Sequence, residues 1–136
     1  MNGLIHLLIA RDHVDREFVA RHTVGFKALE AVARQYPPER VADICGVPQE
    51  QIETAAEWIG TTPRMVSTAL MGFYQAVEAT ANSSLINTVH LLTGAIGKPG
   101  AGSLLMAGQP SASIPLLIRA AVSSIPMRYA RSCAPH

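Results

Sequence analysis

Cysteine is nearly absent from the sequence. Its 136 residues include only Cys45 and Cys133, which lie 88 positions apart. Because the chain has no Cys-x-x-Cys pair, it does not carry the ligand set of a zinc finger or an iron–sulfur cluster. Two isolated thiols of this kind are typical of buried or incidental cysteines in a reducing cytoplasm.

Charge and long apolar runs are also scarce. Charged residues make up 15% of the chain, and the formal net charge is +1, which gives no electrostatic reason to expect a nucleic acid or an anionic membrane surface as partner. The opening run "MNGLIHLLIA" is shorter than the roughly 20 residues of a membrane span, and no basic segment precedes it. We therefore expect no nucleic acid, no membrane and a cytoplasmic location. The 49% of apolar residues indicates a globular fold with a real core.

Short helices are predicted throughout the first sixty residues. Apolar residues recur there at helical spacing, beginning with Ile5 and Leu8. In the segment after the paired prolines, Val41, Ile44 and Cys45 are predicted to face one way. Several of these helices have predicted end signals, which are N-caps at Asn2 and Asp15, early helical prolines at Pro38 and Pro48, a C-terminal cap at Gly46 and a helix end at Gly60.

The second half of the chain changes in pattern. "RMVSTAL", residues 64–70, alternates and is rich in β-branched residues, which predicts a buried strand. A helical pattern follows over residues 78–93, and "SLLMAGQP", residues 103–110, can hold a very short strand. Helices, strand, loop, helix and strand in this order indicate an α/β fold that is rich in helix.

A candidate ligand loop, "MGFYQ", follows the predicted strand. Ligands of open α/β sheets bind beyond the carboxyl ends of the strands. Gly72 lets a ligand approach the backbone, the amide of Gln75 matches the edge of a pterin or purine, and the thioether of Met71 packs on flat rings. The alternative is a plain turn, in which Met71 belongs to the core and Gln75 is solvated.

The glycine-rich run "TGAIGKPGAG", residues 93–102, also has two interpretations. Its backbone N–H groups and Lys98 suit a phosphate, but the Gly-Lys-Ser/Thr ending of a P-loop is missing. A helix end followed by a tight turn explains Gly94, Gly97 and Pro99 without a ligand.

The histidines and carboxylates form no catalytic or metal-binding pattern. His90 is predicted to be a partly buried histidine whose hydrogen bonds are satisfied, and no two histidines have the spacing of metal ligands. The acidic residues expected on solvated helix faces are Asp43, Glu50, Glu53 and Glu57.

Four motifs in sequence order carry a family resemblance. They are "NGLIHLLIARDHVDREFVARHTVGFKAL", "MGFYQ", "HLLTGAIGKPGAG" and "GQPSA". Together they resemble the catalytic subunits of the molybdopterin oxidoreductases, most closely the bacterial assimilatory nitrate reductases, with periplasmic nitrate reductases and formate dehydrogenases as near relatives. The resemblance covers residues 1 to about 112.

The resemblance implies a large multi-domain α/β enzyme. Such enzymes hold molybdenum between two molybdopterin guanine dinucleotides, and a [4Fe–4S] cluster relays electrons from a donor protein or reductase subunit to the substrate, here nitrate. By this resemblance Met71, Gly72 and Gln75 are cofactor contacts, and Gly108 and Gln109 belong to a second loop near the cofactor and substrate.

Several motifs that the family needs for activity are missing from this sequence. The four-cysteine cluster motif, the cysteine that binds molybdenum and the C-terminal cofactor domain are not in this sequence. Residues 113–136 no longer resemble the family, which predicts a divergent or out-of-frame tail after a catalytic-domain segment, residues 1–112. We expect a truncated fragment of an enzyme that is inactive by itself. The alternatives are a formate dehydrogenase fragment, a non-catalytic α/β interaction module, and a small phosphate-binding domain that uses Lys98.

Overall fold

The computed structural model describes residues 1–106, and Met1–Met106 form one compact unit. The predicted α/β class, rich in helix, is confirmed. The predicted boundary at residue 112 and the tail over residues 113–136 lie outside the described residues and stay predictions. The described elements are α1 (Asn2–Ala10), α2 (Arg16–His22), α3 (Phe26–Ala33), α4 (Pro38–Cys45), α5 (Gln49–Thr61), β1 (Val66–Ala69), α6 (Met71–Tyr74), α7 (Ala79–Leu92) and β2 (Gly102–Leu105).

Helix ends follow local sequence rules closely. The Asp15 carboxylate accepts a hydrogen bond of 2.9 Å from the backbone N–H of Phe18 and so caps α2, as predicted. Gly46 ends α4 with a φ of 64°, a left-handed conformation that glycine adopts without steric cost. Two positions differ by a residue. Asn2 is the first residue of α1, not its cap, and Gly60 lies inside the last turn of α5, which ends at Thr61.

Two apolar clusters form the core, and α1 contributes to both of them. One cluster joins α1, α2, α3 and α7, and the other joins α1, α4 and α5, so α1 lies between the two helical groups. This arrangement explains why α1 carries buried residues around much of its circumference. The buried members are Ile5, Leu8, Val14, Val19, Ala33, Val89 and Leu92 in the first cluster, and Leu7, Val41, Ile52 and Ala56 in the second.

Burial differs along α4. Val41, Ile44 and Cys45 share one side of the helix, as predicted, but only Val41 is buried, whereas Ile44 is 63% exposed and Cys45 is exposed. The helix packs through its first two turns, where Pro38 and Val41 are buried, and its last turn reaches solvent. Cys45 is therefore an exposed free thiol. Cys133 lies outside the described residues.

The two strands pair in parallel, with Val66 opposite Gly102 and Ala69 opposite Leu105. The chain crosses from β1 to β2 through α6 and α7, and α7 lies against one face of the pair. The predicted strand is present but shorter than residues 64–70, and the expectation that it is buried is wrong: only Ala69 of β1 is buried. The physical reason is that the described residues cover one face of the sheet only.

The glycine-rich run after α7 ends the helix. Gly94 has a φ of 62°, and the Ala95 N–H donates a 2.8 Å hydrogen bond back to the His90 carbonyl. Gly97 and Gly100 also have positive φ, as a tight turn requires. The helix end and the tight turn predicted for this run are both present. No helix in the described residues has the length and apolarity needed to cross a bilayer.

Candidate functional site

The candidate site lies at the carboxyl end of β1. Leu70 follows the strand, and the Phe73 N–H donates to the Leu70 carbonyl over 3.0 Å, which starts a helical turn. The Gln75 N–H closes this turn with a 2.9 Å hydrogen bond to the Met71 carbonyl. The segment predicted as an open ligand loop is therefore the single turn of α6. Its position beyond a strand end is the one expected for ligand-binding residues in α/β folds.

The side chains of the candidate site face solvent. Met71 is 38% exposed, Gly72 and Gln75 are exposed, and within residues 1–106 the Gln75 side-chain amide has no hydrogen-bond partner. A Cβ built on Gly72 would meet no atom within 4 Å, and its φ is not positive. The packing of the described residues therefore gives no reason for glycine at position 72, and the backbone there is open to an approaching group.

The end of β2 lies beside the end of β1. The Met106 N–H donates to the Ala69 carbonyl over 2.9 Å, which extends the parallel pairing by one step. Gly108 and Gln109, the second predicted pair of cofactor contacts, follow two and three residues later in the sequence, outside the described residues. Their placement stays a prediction.

A buried histidine fixes β1 on α7. His90 is 0% exposed, its Nδ1 lies 2.9 Å from the Ala95 carbonyl oxygen, and its Nε2 lies 2.8 Å from the Ser67 hydroxyl. A carbonyl oxygen only accepts hydrogen bonds, so Nδ1 carries a proton and donates to Ala95, while Nε2 is hydrogen-bonded to the Ser67 hydroxyl. The predicted satisfied histidine is confirmed, and its burial is complete.

A second polar contact holds β2 on the same helix. The Ser103 hydroxyl donates to the Asn87 side-chain oxygen, so both strands are tied to α7 by side chains. Sequence reasoning found His90 but missed Ser67, Asn87 and Ser103. A signal for these contacts was present in the sequence. Asn87 and His90 lie three residues apart on α7, and each of the two short strands offers one serine, Ser67 or Ser103, as a hydrogen-bond partner.

Charged groups cluster where the segment after α1 meets α5. His13 Nε2 lies 3.1 Å from a carboxylate oxygen of Glu57, and Arg11 pairs with Glu53 at 2.8 Å. The hydrogen bond from His13, followed by the charges of His13 and Arg11, lowers the pKa of Glu57 below its ordinary value. This cluster joins α1 to α5. Among residues 1–106, no three His, Cys, Asp or Glu side chains are arranged to hold a metal ion.

A surface cleft between α2 and α3 lies away from the strand ends. It has a volume of about 480 Å³, and apolar side chains line most of it, with Arg16 and Lys27 contributing charge. Its lining includes none of Met71, Gly72 and Gln75. Met71, Gly72 and Gln75 therefore lie outside this cleft and are exposed at the end of β1.

Comparison with known proteins decides the family. No protein-family model matches the chain. The chain is 40% identical over 112 residues to a nitrate reductase of Synechocystis sp., an alignment that covers 82% of this chain and 16% of the relative. It is 31% identical over 109 residues to the F420-dependent formate dehydrogenase subunit alpha of Methanocaldococcus jannaschii, covering 80% of this chain and 16% of that protein. Both relatives are molybdopterin oxidoreductases. The chain belongs to the molybdopterin oxidoreductase family.

A periplasmic relative adds a further match within this molybdopterin oxidoreductase family. The periplasmic nitrate reductase of Desulfovibrio desulfuricans is 41% identical over 87 residues, which cover 64% of this chain and 12% of the relative. The aligned regions thus make up about one sixth or less of the length of these curated relatives. Over residues 1–106, this molybdopterin oxidoreductase chain presents an exposed strand end and no complete metal site.

Proposed function

We propose that the chain forms part of the catalytic subunit of a molybdenum-dependent nitrate reductase of the assimilatory type, which reduces nitrate to nitrite. The observation that carries this proposal is the 40% identity over 112 residues to the nitrate reductase of Synechocystis sp.. A cytoplasmic location belongs to the same proposal, as does a separate electron-donor protein or reductase subunit.

The residues at the end of β1 fit one side of a flat heterocyclic cofactor. Gln75 offers two donors and an acceptor to a pterin or purine edge, and no described side chain competes for them. The backbone at Gly72 is open, and the thioether of Met71 beside it suits an aromatic ring. Gly108 and Gln109 are proposed as a second contact. Molybdenum held by two molybdopterin guanine dinucleotides would supply the two-electron transfer of an oxygen atom, while these residues bind and orient the pterin.

The chain alone is proposed to be inactive. Met71, Gly72 and Gln75 are exposed, and one exposed surface must offset the ~4–15 kcal/mol of lost translational and rotational freedom on binding. The ligands of the proposed [4Fe–4S] cluster must come from other polypeptide, because four cysteines are needed and the chain has two.

A formate dehydrogenase is the second candidate function. The 31% identity over 109 residues to the subunit of Methanocaldococcus jannaschii supports it. The identity to the nitrate reductase of Synechocystis sp. is higher over an alignment of similar length, and this difference favours nitrate.

A chimera tests the proposed function. The 112-residue aligned region of the Synechocystis sp. nitrate reductase is replaced by the matching residues of this chain, and the purified protein is assayed for molybdenum, pterin, nitrate reduction and formate oxidation. We expect the chimera to contain molybdenum and pterin and to reduce nitrate. The 136-residue chain assayed alone should reduce no nitrate.

Two matched variants of the chimera test the site. We expect Gln75→Ala to lower the molybdenum and pterin content about tenfold. This factor corresponds to the loss of about one hydrogen bond between uncharged groups, at a contact that the bound cofactor would bury. Gln51→Ala, on the exposed side of α5, serves as the control and should leave the content unchanged. Three outcomes contradict the proposal: a folded chimera that contains no molybdenum, a chimera that oxidises formate but does not reduce nitrate, or equal cofactor content in the two variants.

A further inference from the structure

The two-stranded sheet has one covered face and one open face. Side chains alternate along a strand, and the parallel register places alternate residues of β1 and β2 side by side. Ser67 and Ser103 point to α7, where they bond His90 and Asn87. The opposite face, called the open face, consists of Val66, Thr68, Leu70, Gly102, Leu104 and Met106.

The open face is apolar, uncharged and exposed to water. Val66 is 57% exposed, Leu70 51%, Leu104 53% and Met106 43%. None of the six residues that form it carries a charge. Parallel sheets in proteins are covered on both faces, because the crossover connections place helices there and the strands are built for burial. We therefore expect a further element of the fold to cover the exposed face of this parallel pair.

The size of the open face indicates what covers it. Four residues at about 3.3 Å each and two strands about 4.8 Å apart give a surface roughly 13 Å by 10 Å. A stable dimer of two copies needs on the order of 800 Å² from each partner, several times this area. An α-helix with its side chains is about 10 Å across, which matches the width of the strand pair.

We propose that an amphipathic helix from the region of the catalytic subunit outside this chain covers the open face. The helix is expected to present an apolar stripe without charge, since a charge buried against this surface would have no partner among the six residues. The inference rests on the proposed function, because it requires that the chain belongs to a longer subunit. Alignments that cover only 16% of each relative support that requirement.

Thiol labelling tests whether the face is covered. In a background of Cys45→Ser and Cys133→Ser, Thr68→Cys places a thiol on the open face, and Arg21→Cys places a control thiol on α2, where the arginine side chain is 70% exposed. Maleimide modification is timed in the 136-residue chain and in the chimera described above. We expect Thr68→Cys to react at least tenfold more slowly in the chimera, whereas the rate for Arg21→Cys changes less than twofold.

Photo-cross-linking identifies what covers the face. A benzophenone amino acid at position 68 is activated in the chimera, and mass spectrometry identifies the linked peptide. We expect a peptide from outside the aligned region, with apolar residues at i, i+3 and i+4 spacing. Three labelling results would overturn the inference: a fast reaction of Thr68→Cys in both proteins, an equal slowing of both thiols in the chimera, or a Thr68→Cys thiol that is already protected in the isolated monomeric chain. A cross-linked dimer would overturn it as well.

Two further measurements keep the test decisive. If the chimera does not fold, the same cysteine is placed in the Synechocystis sp. nitrate reductase at the position aligned with Thr68, and a fast reaction there overturns the inference. Molybdenum content and nitrate reduction are recorded before labelling. If the chimera contains molybdenum and reduces nitrate but its open face is labelled rapidly, only this inference is contradicted. If the open face is protected but the chimera contains no molybdenum, only the proposed function is contradicted.

Discussion

The Nε2 atom of His90 lies 2.8 Å from the hydroxyl oxygen of Ser67, and this hydrogen bond joins a fully buried residue of α7 to β1 four residues before Met71. The other ring nitrogen holds the Ala95 carbonyl in the turn after the helix. One imidazole thus connects the helix, the glycine-rich turn and the strand that leads to the candidate site.

Replacing His90 should destabilise the chain strongly. His90→Leu removes both hydrogen bonds and leaves a buried carbonyl at Ala95 without its partner, so we expect a loss of about 3 kcal/mol in the free energy of unfolding. Ser67→Ala removes one bond and should cost about 1 kcal/mol. Urea denaturation followed by far-ultraviolet circular dichroism measures both.

The control for this prediction is His6→Leu. His6 is half-buried and makes one hydrogen bond of 3.0 Å, to the Ala33 carbonyl. Its replacement should cost clearly less than that of His90. Equal stability of His90→Leu and the unchanged chain would show that the network does not hold β1.

Gly60 should tolerate a methyl group only when His13 is absent. A Cβ on Gly60 would overlap the His13 ring, so Gly60→Ala should cost about 1–3 kcal/mol by overpacking. In a His13→Ala background the same change should instead stabilise α5 by up to about 1 kcal/mol, because alanine favours helix over glycine. The four proteins form a double-mutant cycle in urea, and the absence of a sign change would contradict the predicted overlap.

The lowered pKa of Glu57 predicts a pH dependence. The hydrogen bond from His13 favours the carboxylate in the folded chain, so the stabilisation is fully present above the ordinary value of 4.5 and is lost as the pH falls from there through the lowered pKa. Urea midpoints between pH 3 and pH 7 should therefore fall less steeply at the acidic end for Glu57→Gln. Glu50→Gln, on the same helix, is the control, and identical profiles of Glu57→Gln and the unchanged chain would count against the prediction.

Substitutions at Gly72 should reduce cofactor binding without changing the stability of the chain. In the 136-residue chain, Gly72→Ala should change the free energy of unfolding by less than about 1 kcal/mol, because the added Cβ meets no described atom and alanine suits a helical turn. In the chimera, the bulkier Gly72→Leu should reduce pterin content while the thermal midpoint of the isolated chain stays unchanged. Full cofactor content in Gly72→Leu would remove Gly72 from the site.

Local signals in the sequence predicted local structure well. Asp15 and Gly46 act at helix ends through their own side-chain chemistry and backbone freedom, so their roles are visible without the rest of the fold. His90 was predictable for a related reason, since a histidine in an apolar helical stripe needs hydrogen-bond partners.

Predictions that depend on neighbouring elements were less successful. The predicted burial of β1 requires a covering layer, and the described residues do not provide one, so Val66 is exposed. The helical turn at Met71 was missed because a single turn leaves too few residues for a periodic pattern. The candidate site itself was located by the strand end, whereas its ligand follows only from the family.

The pairing of Val66 with Gly102 has a consequence for the order of folding. These partners are 36 positions apart, whereas each hydrogen bond within a helix joins residues only about four positions apart. Closing so long a segment costs conformational entropy before the strand pairing offsets it, so high contact order delays this step. In pulsed hydrogen exchange we expect the amides of α1 and α5 to gain protection first. The amides of β1 and β2, which lead to the candidate site, should gain protection after them.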